Sequence, residues 1–105
     1  MIIYEVNLTV HPEVSSGYKL WLEDHIKEML NFKGFKKALF LENLEETPSS
    51  QWTVQYFIDS KENLDDYLSH HAKIMREQAL DKFSGQFSAS RRIFSTIGEF
   101  DTSKA

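Results

Sequence analysis

The chain is expected to fold as an α+β unit, a four-stranded antiparallel sheet with two helices on one face. Its periodicities run strand, helix, strand, strand, helix, strand, with only a short tail left over. Its size agrees, since 105 residues of which 41% are hydrophobic suffice for one core and not for two.

The first strand spans residues 2–10, where Ile2, Tyr4, Val6, Leu8 and Val10 alternate with Ile3, Glu5, Asn7 and Thr9. Pro12 suits the first turn of a helix. From there Val14, Tyr18, Trp21, Leu22, His25, Ile26, Met29 and Leu30 recur at three- and four-residue spacing. Gly34 supplies the stop, while Gly17 weakens the first turn by about 1 kcal/mol relative to alanine. Extended character returns over Phe35 to Asn43, and a polar turn from Glu45 to Ser50 leads to a strand over Gln51 to Asp59, with Trp52, Val54, Tyr56 and Ile58 on one side. Ser60 is a good N-cap for one second helix whose stripe is Leu64, Tyr67, Leu68, His71, Met75, Ala79 and Phe83. After Gly85 the last strand runs from Ala89 to Ile97. A single domain over residues 1–97 with a flexible tail over 98–105 is therefore expected.

In this order the first strand lies between the third and fourth, the ferredoxin-like βαββαβ arrangement. Its apolar side then meets the helices. The opposite side carries Ile3, Glu5, Asn7, Thr53, Gln55, Phe57, Arg92 and Phe94, too apolar for a solvated face. A second sheet would cover it, and the simplest source is another copy of the chain, so a homodimer is expected.

A formal net charge of −4 with mixed signs along the chain argues against a nucleic acid or an anionic membrane as partner, because both need a concentrated basic face. There is no cysteine, hence no disulfide, thiolate nucleophile or cysteine metal cage. The segment MIIYEVNLTV lacks the features of a signal peptide, and no apolar run approaches a membrane span. A cytoplasmic protein is the resulting expectation. No Gly-rich nucleotide loop or serine nucleophile elbow is present.

Six separated clusters carry a resemblance: Ile3-Tyr4-Glu5-Val6-Asn7, Trp21-Leu22 with His25, Gly34-Phe35, Trp52-Thr53-Val54-Gln55-Tyr56, Tyr67-Leu68 with His71-Ala72, and Ala89-Ser90-Arg91-Arg92. Together, over about residues 2–97, they resemble a bacterial family known as domain of unknown function 4286. More distantly the plan looks like the dimeric α+β barrel superfamily, which includes cofactor-free monooxygenases and haem-degrading enzymes. The resemblance implies a dimeric barrel and no particular reaction. The haem-degrading branch keeps an Asn on the first strand, a Trp late on the third and a His on the second helix. Asn7 matches, but Ile58 and Glu77 stand at the other two positions, so haem degradation is not expected.

His25 and His71 fall on the stripes of their helices and form the best acid–base candidate pair if both face one pocket. The competing reading ties each to a neighbouring hydroxyl or carbonyl in the core. Two histidines fall short of the usual three protein ligands of a catalytic metal, so no metal site is expected. Tyr56 joins them as a ligand-binding candidate. On the other face Glu5, Asn7, Gln55 and Arg92 offer either a small polar ligand site or an ion pair that fixes the register of two sheets. Arg91 and Arg92 point to opposite faces and do not converge on a phosphate. Tyr4, Trp52 and Tyr56 lie on the helix-covered side, unlike the base-stacking aromatics of RNA-recognition domains. The expected function is a small-ligand-binding or structural barrel protein without a resting cofactor. The alternative is a cofactor-independent monooxygenase or isomerase acting on a small aromatic or polyketide-like substrate.

Overall fold

The computed structural model describes residues 1–45 and 47–104. Glu46 of the expected turn and Ala105 of the expected tail lie outside the described residues. The elements are β1 (Ile2–Val10), α1 (Ser15–Met29), β2 (Phe35–Glu42), β3 (Ser50–Ile58), α2 (Lys61–His70), α3 (Ala72–Phe83) and β4 (Phe87–Ser95). All strand pairs are antiparallel in the order β2-β3-β1-β4. The alternating first strand is thus central, as its apolar side requires.

Register fixes where the strands end. All nine residues of β1 pair with both neighbours, from Ile2 opposite Ile58 and Ser95 to Val10 opposite Ser50 and Phe87. For this reason β4 begins at Phe87 rather than at Ala89 and stops before Ile97. One side of the sheet buries Tyr4, Leu8, Val10, Trp52, Val54, Tyr56 and Ile58 against Tyr18, Leu22, Met29, Leu64 and Tyr67 of the helices. The aromatics Tyr4, Trp52 and Tyr56 are core side chains.

The helices depart from expectation at two places. Pro12–Val14 forms a 3-10 turn in which His11 Nδ1 accepts a hydrogen bond from the Glu13 amide at 3.3 Å, and α1 proper starts only at Ser15. The single second helix is in fact two helices, α2 and α3, meeting at His71, whose φ of −126° and ψ of −29° leave the helical region. The stripe itself demands the bend. From Tyr67 onward it advances in four-residue steps, and each such step rotates about 40° past a full turn on a straight α-helix. By Phe83 a straight helix would have carried the stripe off the sheet. The break resets it, and Ala72, Met75, Ala79 and Phe83 all remain buried. Ser60 caps α2 as expected, accepting from the Asn63 amide at 3.2 Å. No helix among the described residues is long and apolar enough to cross a membrane.

Candidate functional site

A cavity of about 290 Å³ lies between the helix-facing side of the sheet and the helices α1 and α3. Two small side chains on facing elements, Ala79 of α3 and Ala89 of β4, leave room for it. Leu80, Ser88 and Arg91 also line it and are exposed, so its mouth opens between α3 and β4. All four tyrosines of the chain, Tyr4, Tyr18, Tyr56 and Tyr67, line the cavity. Trp21 and His25 join them from α1, and Arg76 from α3.

Helical spacing places Trp21 and His25 one turn apart, and their rings stack with centroids 4.7 Å apart. The Nδ1 of His25 is buried and has no hydrogen-bond partner among the described residues. Burial lowers the His25 pKa, against the opposing effects of the nearby Gln78 side chain and the charge of Glu28. The imidazole is therefore held neutral, with one ring nitrogen uncommitted. Burial likewise pushes Tyr18 up to about 12, although Arg91 nearby pulls the other way, and it raises Tyr56 and Tyr67 as well. These phenols remain protonated donors at neutral pH. The Tyr4 hydroxyl accepts a hydrogen bond from Arg76 Nη2 at 3.0 Å. A neutral imidazole, phenolic donors and a guanidinium around an apolar slot can orient a planar ligand and move a proton to or from it.

The buried imidazole also has a consequence for stability. Its folded pKa lies below the ordinary value of 6.5, so the unfolded chain binds the proton more readily. The stability tied to keeping it neutral is full above the ordinary pKa and is lost as pH falls through the folded one. Urea midpoints measured over roughly pH 5 to 8 should show a shallower slope for His25→Gln than for the parent. Identical slopes would mean that His25 is protonated as readily in the fold as out of it.

The opposite face of the sheet holds a second constellation. Glu5 is 4% exposed, and one of its carboxylate oxygens accepts from Arg92 Nη2 at 2.7 Å, Arg92 Nε at 2.8 Å and Asn7 Nδ2 at 3.0 Å. Its other oxygen accepts from Gln55 Nε2 at 3.1 Å, and the Thr53 hydroxyl donates to Asn7 Oδ1 at 2.7 Å. Cross-strand register creates the cluster, since Gln55 and Arg92 flank Glu5 directly and Thr53 stands opposite Asn7. Burial alone would raise the Glu5 pKa, but the hydrogen bonds from Asn7, Gln55 and Arg92, with the charge of Arg92, hold it below the ordinary 4.5. An open hollow of about 550 Å³ runs over this face. The carboxylate there is already saturated with donors, so the arrangement fits a register-fixing network better than a vacant site.

The sequence candidates thus fall into three places. His25 and Tyr56 line the cavity, whereas Glu5, Asn7, Gln55 and Arg92 meet on the other side of the sheet. His71 joins neither group. It sits at the bend between α2 and α3 with its side chain 43% exposed, its ring 4.6 Å from that of Phe32 and its Nε2 3.9 Å from Asp66. The condition set for pairing it with His25, that both face one pocket, is not met, since His25 lines the cavity and His71 at the bend does not. Arg76 and Arg91 were not among the candidates. Alternation along β4 was the available signal for Arg91, since it sends Arg91 toward the helices and Arg92 away from them. Among the described residues there is no group of three or more His, Cys, Asp or Glu side chains arranged to hold a metal ion.

A family model described as a domain of unknown function (DUF4286) matches residues 1–97. No curated protein matches the chain. Solved structures do. A Deinococcus radiodurans protein assigned as an antibiotic biosynthesis monooxygenase superposes with a TM-score of 0.77 at 13% identity, covering 96% of this chain and 97% of that one. A mutant of SnoaB, a cofactor-independent oxygenase from Streptomyces nogalater, gives a TM-score of 0.68 at 10% identity, covering 93% and 95%. Rv0793 from Mycobacterium tuberculosis gives 0.67 at 14% identity, covering 96% and 100%. At such identities the likeness speaks for the fold, which is the expected ferredoxin-like one.

Proposed function

The chain belongs to the DUF4286 family, whose function is unknown, and we propose that it binds a small planar aromatic ligand in the cavity between its sheet and helices. The observation that carries this reading is the concentration there of all four tyrosines with Trp21 and an uncommitted imidazole nitrogen. Rings of this kind bind flat apolar bodies by stacking and edge contacts, while their polar tips fix orientation. The volume lies at the small end of the range for small-molecule sites, which suits a ligand of two fused rings better than a large one. Naphthol, a neutral planar probe, should quench tryptophan fluorescence saturably. Ala79→Phe, which extends a ring into the cavity, should weaken that binding by at least about tenfold while the far-ultraviolet circular dichroism is unchanged. Absence of saturable binding to the parent protein at millimolar probe would overturn the reading.

A second reading is favoured by the free Nδ1 of His25, namely a cofactor-independent monooxygenase or isomerase. There the imidazole removes a proton from an acidic C–H of the ligand, and Arg76 beside Tyr4 stabilises the resulting enolate. Oxygenation would then draw on dioxygen and isomerisation on reprotonation at another carbon. The similar fold of SnoaB, a cofactor-independent oxygenase, supports this reading. The same proposal takes the protein to be a cytoplasmic homodimer joined through the sheet face opposite the cavity. Residues 1–97 form the working unit.

A further inference from the structure

We propose that the cavity's ligand is an aromatic carboxylate, its ring body held among the tyrosines and its anionic end by Arg76 and Arg91. This rests on the reading that the cavity binds a planar aromatic molecule, and it adds the charge of that molecule. The charge of the lining is the main ground. The chain carries 16 acidic residues against 12 basic ones, yet the described residues that line the cavity include two arginines, one histidine and no carboxylate. With that imidazole neutral, the arginines are the only charged groups among the described lining residues, and the site is complementary to an anion.

Neither guanidinium has a counter-charge within the chain's described residues. Among the described residues no carboxylate lies within 4.0 Å of Arg76 or Arg91, whereas the neighbouring Arg92 makes two short bonds to Glu5 on the other face. Arg76 donates through Nη2 to the Tyr4 hydroxyl, while its Nε is buried without a partner. A guanidinium left this way loses solvation without gaining a counter-charge, and its free Nη1, which is not buried, is the donor it can turn to an acceptor in the cavity. The neighbouring phenols do not supply it, because Tyr18 and Tyr67 are held in their protonated forms. Arg91 stands at the exposed mouth, where its flexible side chain can close over an anion entering between α3 and β4. A carboxylate matches the flat fork of a guanidinium and shares the plane of the ring that carries it.

Calorimetric titration with naphthoate, naphthamide and naphthol separates the charge from the ring. The parent should bind naphthoate at least about tenfold more tightly than naphthamide, with the advantage shrinking as salt is raised. Arg91→Gln, a change at an exposed position, should remove most of that advantage by weakening naphthoate far more than naphthamide. Arg76→Gln should do the same, and Arg76→Lys should recover part of it. Equal affinity for naphthoate and naphthamide would overturn the inference while leaving the aromatic site standing. Naphthoate affinity unchanged in both glutamine variants would overturn it too, and failure of all three probes to bind would overturn the underlying reading as well.

Discussion

Replacing Gly34 with alanine is expected to destabilise the protein by about 2–4 kcal/mol, one of the largest effects of any single methyl group in this chain. Gly34 has a φ of +84°, in the left-handed region that a side chain disfavours. It also faces the junction between β3 and α2. An added Cβ would stand 2.8 Å from the Cβ of Asn63 and closer still to Asp59 Oδ1 and Asn63 Nδ2. Those two polar atoms form a hydrogen bond of 2.7 Å, and the Gly34 carbonyl accepts from the Asp59 amide at 2.9 Å. The methyl group therefore meets the start of α2, whose backbone cannot move without loosening the Ser60 cap. Gly85 provides the internal control, with a φ of +75° but nothing within 4 Å of its Cβ position. Gly85→Ala should cost only the backbone part, about 1 kcal/mol. Urea midpoints with unchanged m-values test both, and equal losses at the two glycines would mean that the contact with Asn63 is readily relieved.

What the sequence discloses and what it hides both follow from the range of the interactions concerned. The alternation of β1 and the Ser60 cap are local signals, and the structure has both. Gly34 is not the helix stop it was expected to be, since α1 ends at Met29 with Leu30 as its C-cap and Gly34 lies further on, in the turn that enters β2. Strand order follows too, since only a central strand needs one apolar side along its whole length. The bend at His71 is concealed because a stripe in four-residue steps reads as helix until its accumulated rotation is counted. The site divides in the same way. Alternation alone puts Glu5, Asn7, Gln55 and Arg92 on one face, and cross-strand register turns them into a network. The cavity depends instead on Ala79 and Ala89 meeting across two layers far apart in sequence, which no local pattern marks. Arg76 was hidden for a related reason. It follows Met75 on the stripe and reads as the solvated edge of an amphipathic helix until the tertiary fold sets it against Tyr4.

A carboxylate introduced at Phe94 should dissociate the proposed homodimer. The helix-free face presents Leu39, Leu41, Ile3, Phe57 and Phe94 around the Glu5 network, and Leu39, Leu41 and Phe94 are each about 40% exposed. Ile3 stands directly opposite both Phe57 and Phe94, so an apolar row crosses three strands. Two such faces packed together would bury on the order of 800 Å² per partner, an ordinary size for a stable interface. The network is suited to that burial, since Glu5 has its donors within its own chain and brings no unpaired carboxylate to the contact. Phe94→Asp removes a ring over which the Arg92 guanidinium sits at 5.2 Å and places a new charge in the contact. Arg92 is already engaged by Glu5, so any pairing with the new carboxylate weakens the older bond. Sedimentation equilibrium should find the parent dimeric at micromolar concentration and the Asp variant weakened on the order of 100-fold, with Phe94→Leu close to the parent. A parent that sediments as a stable monomer would remove this interface, leaving the apolar row to some other partner.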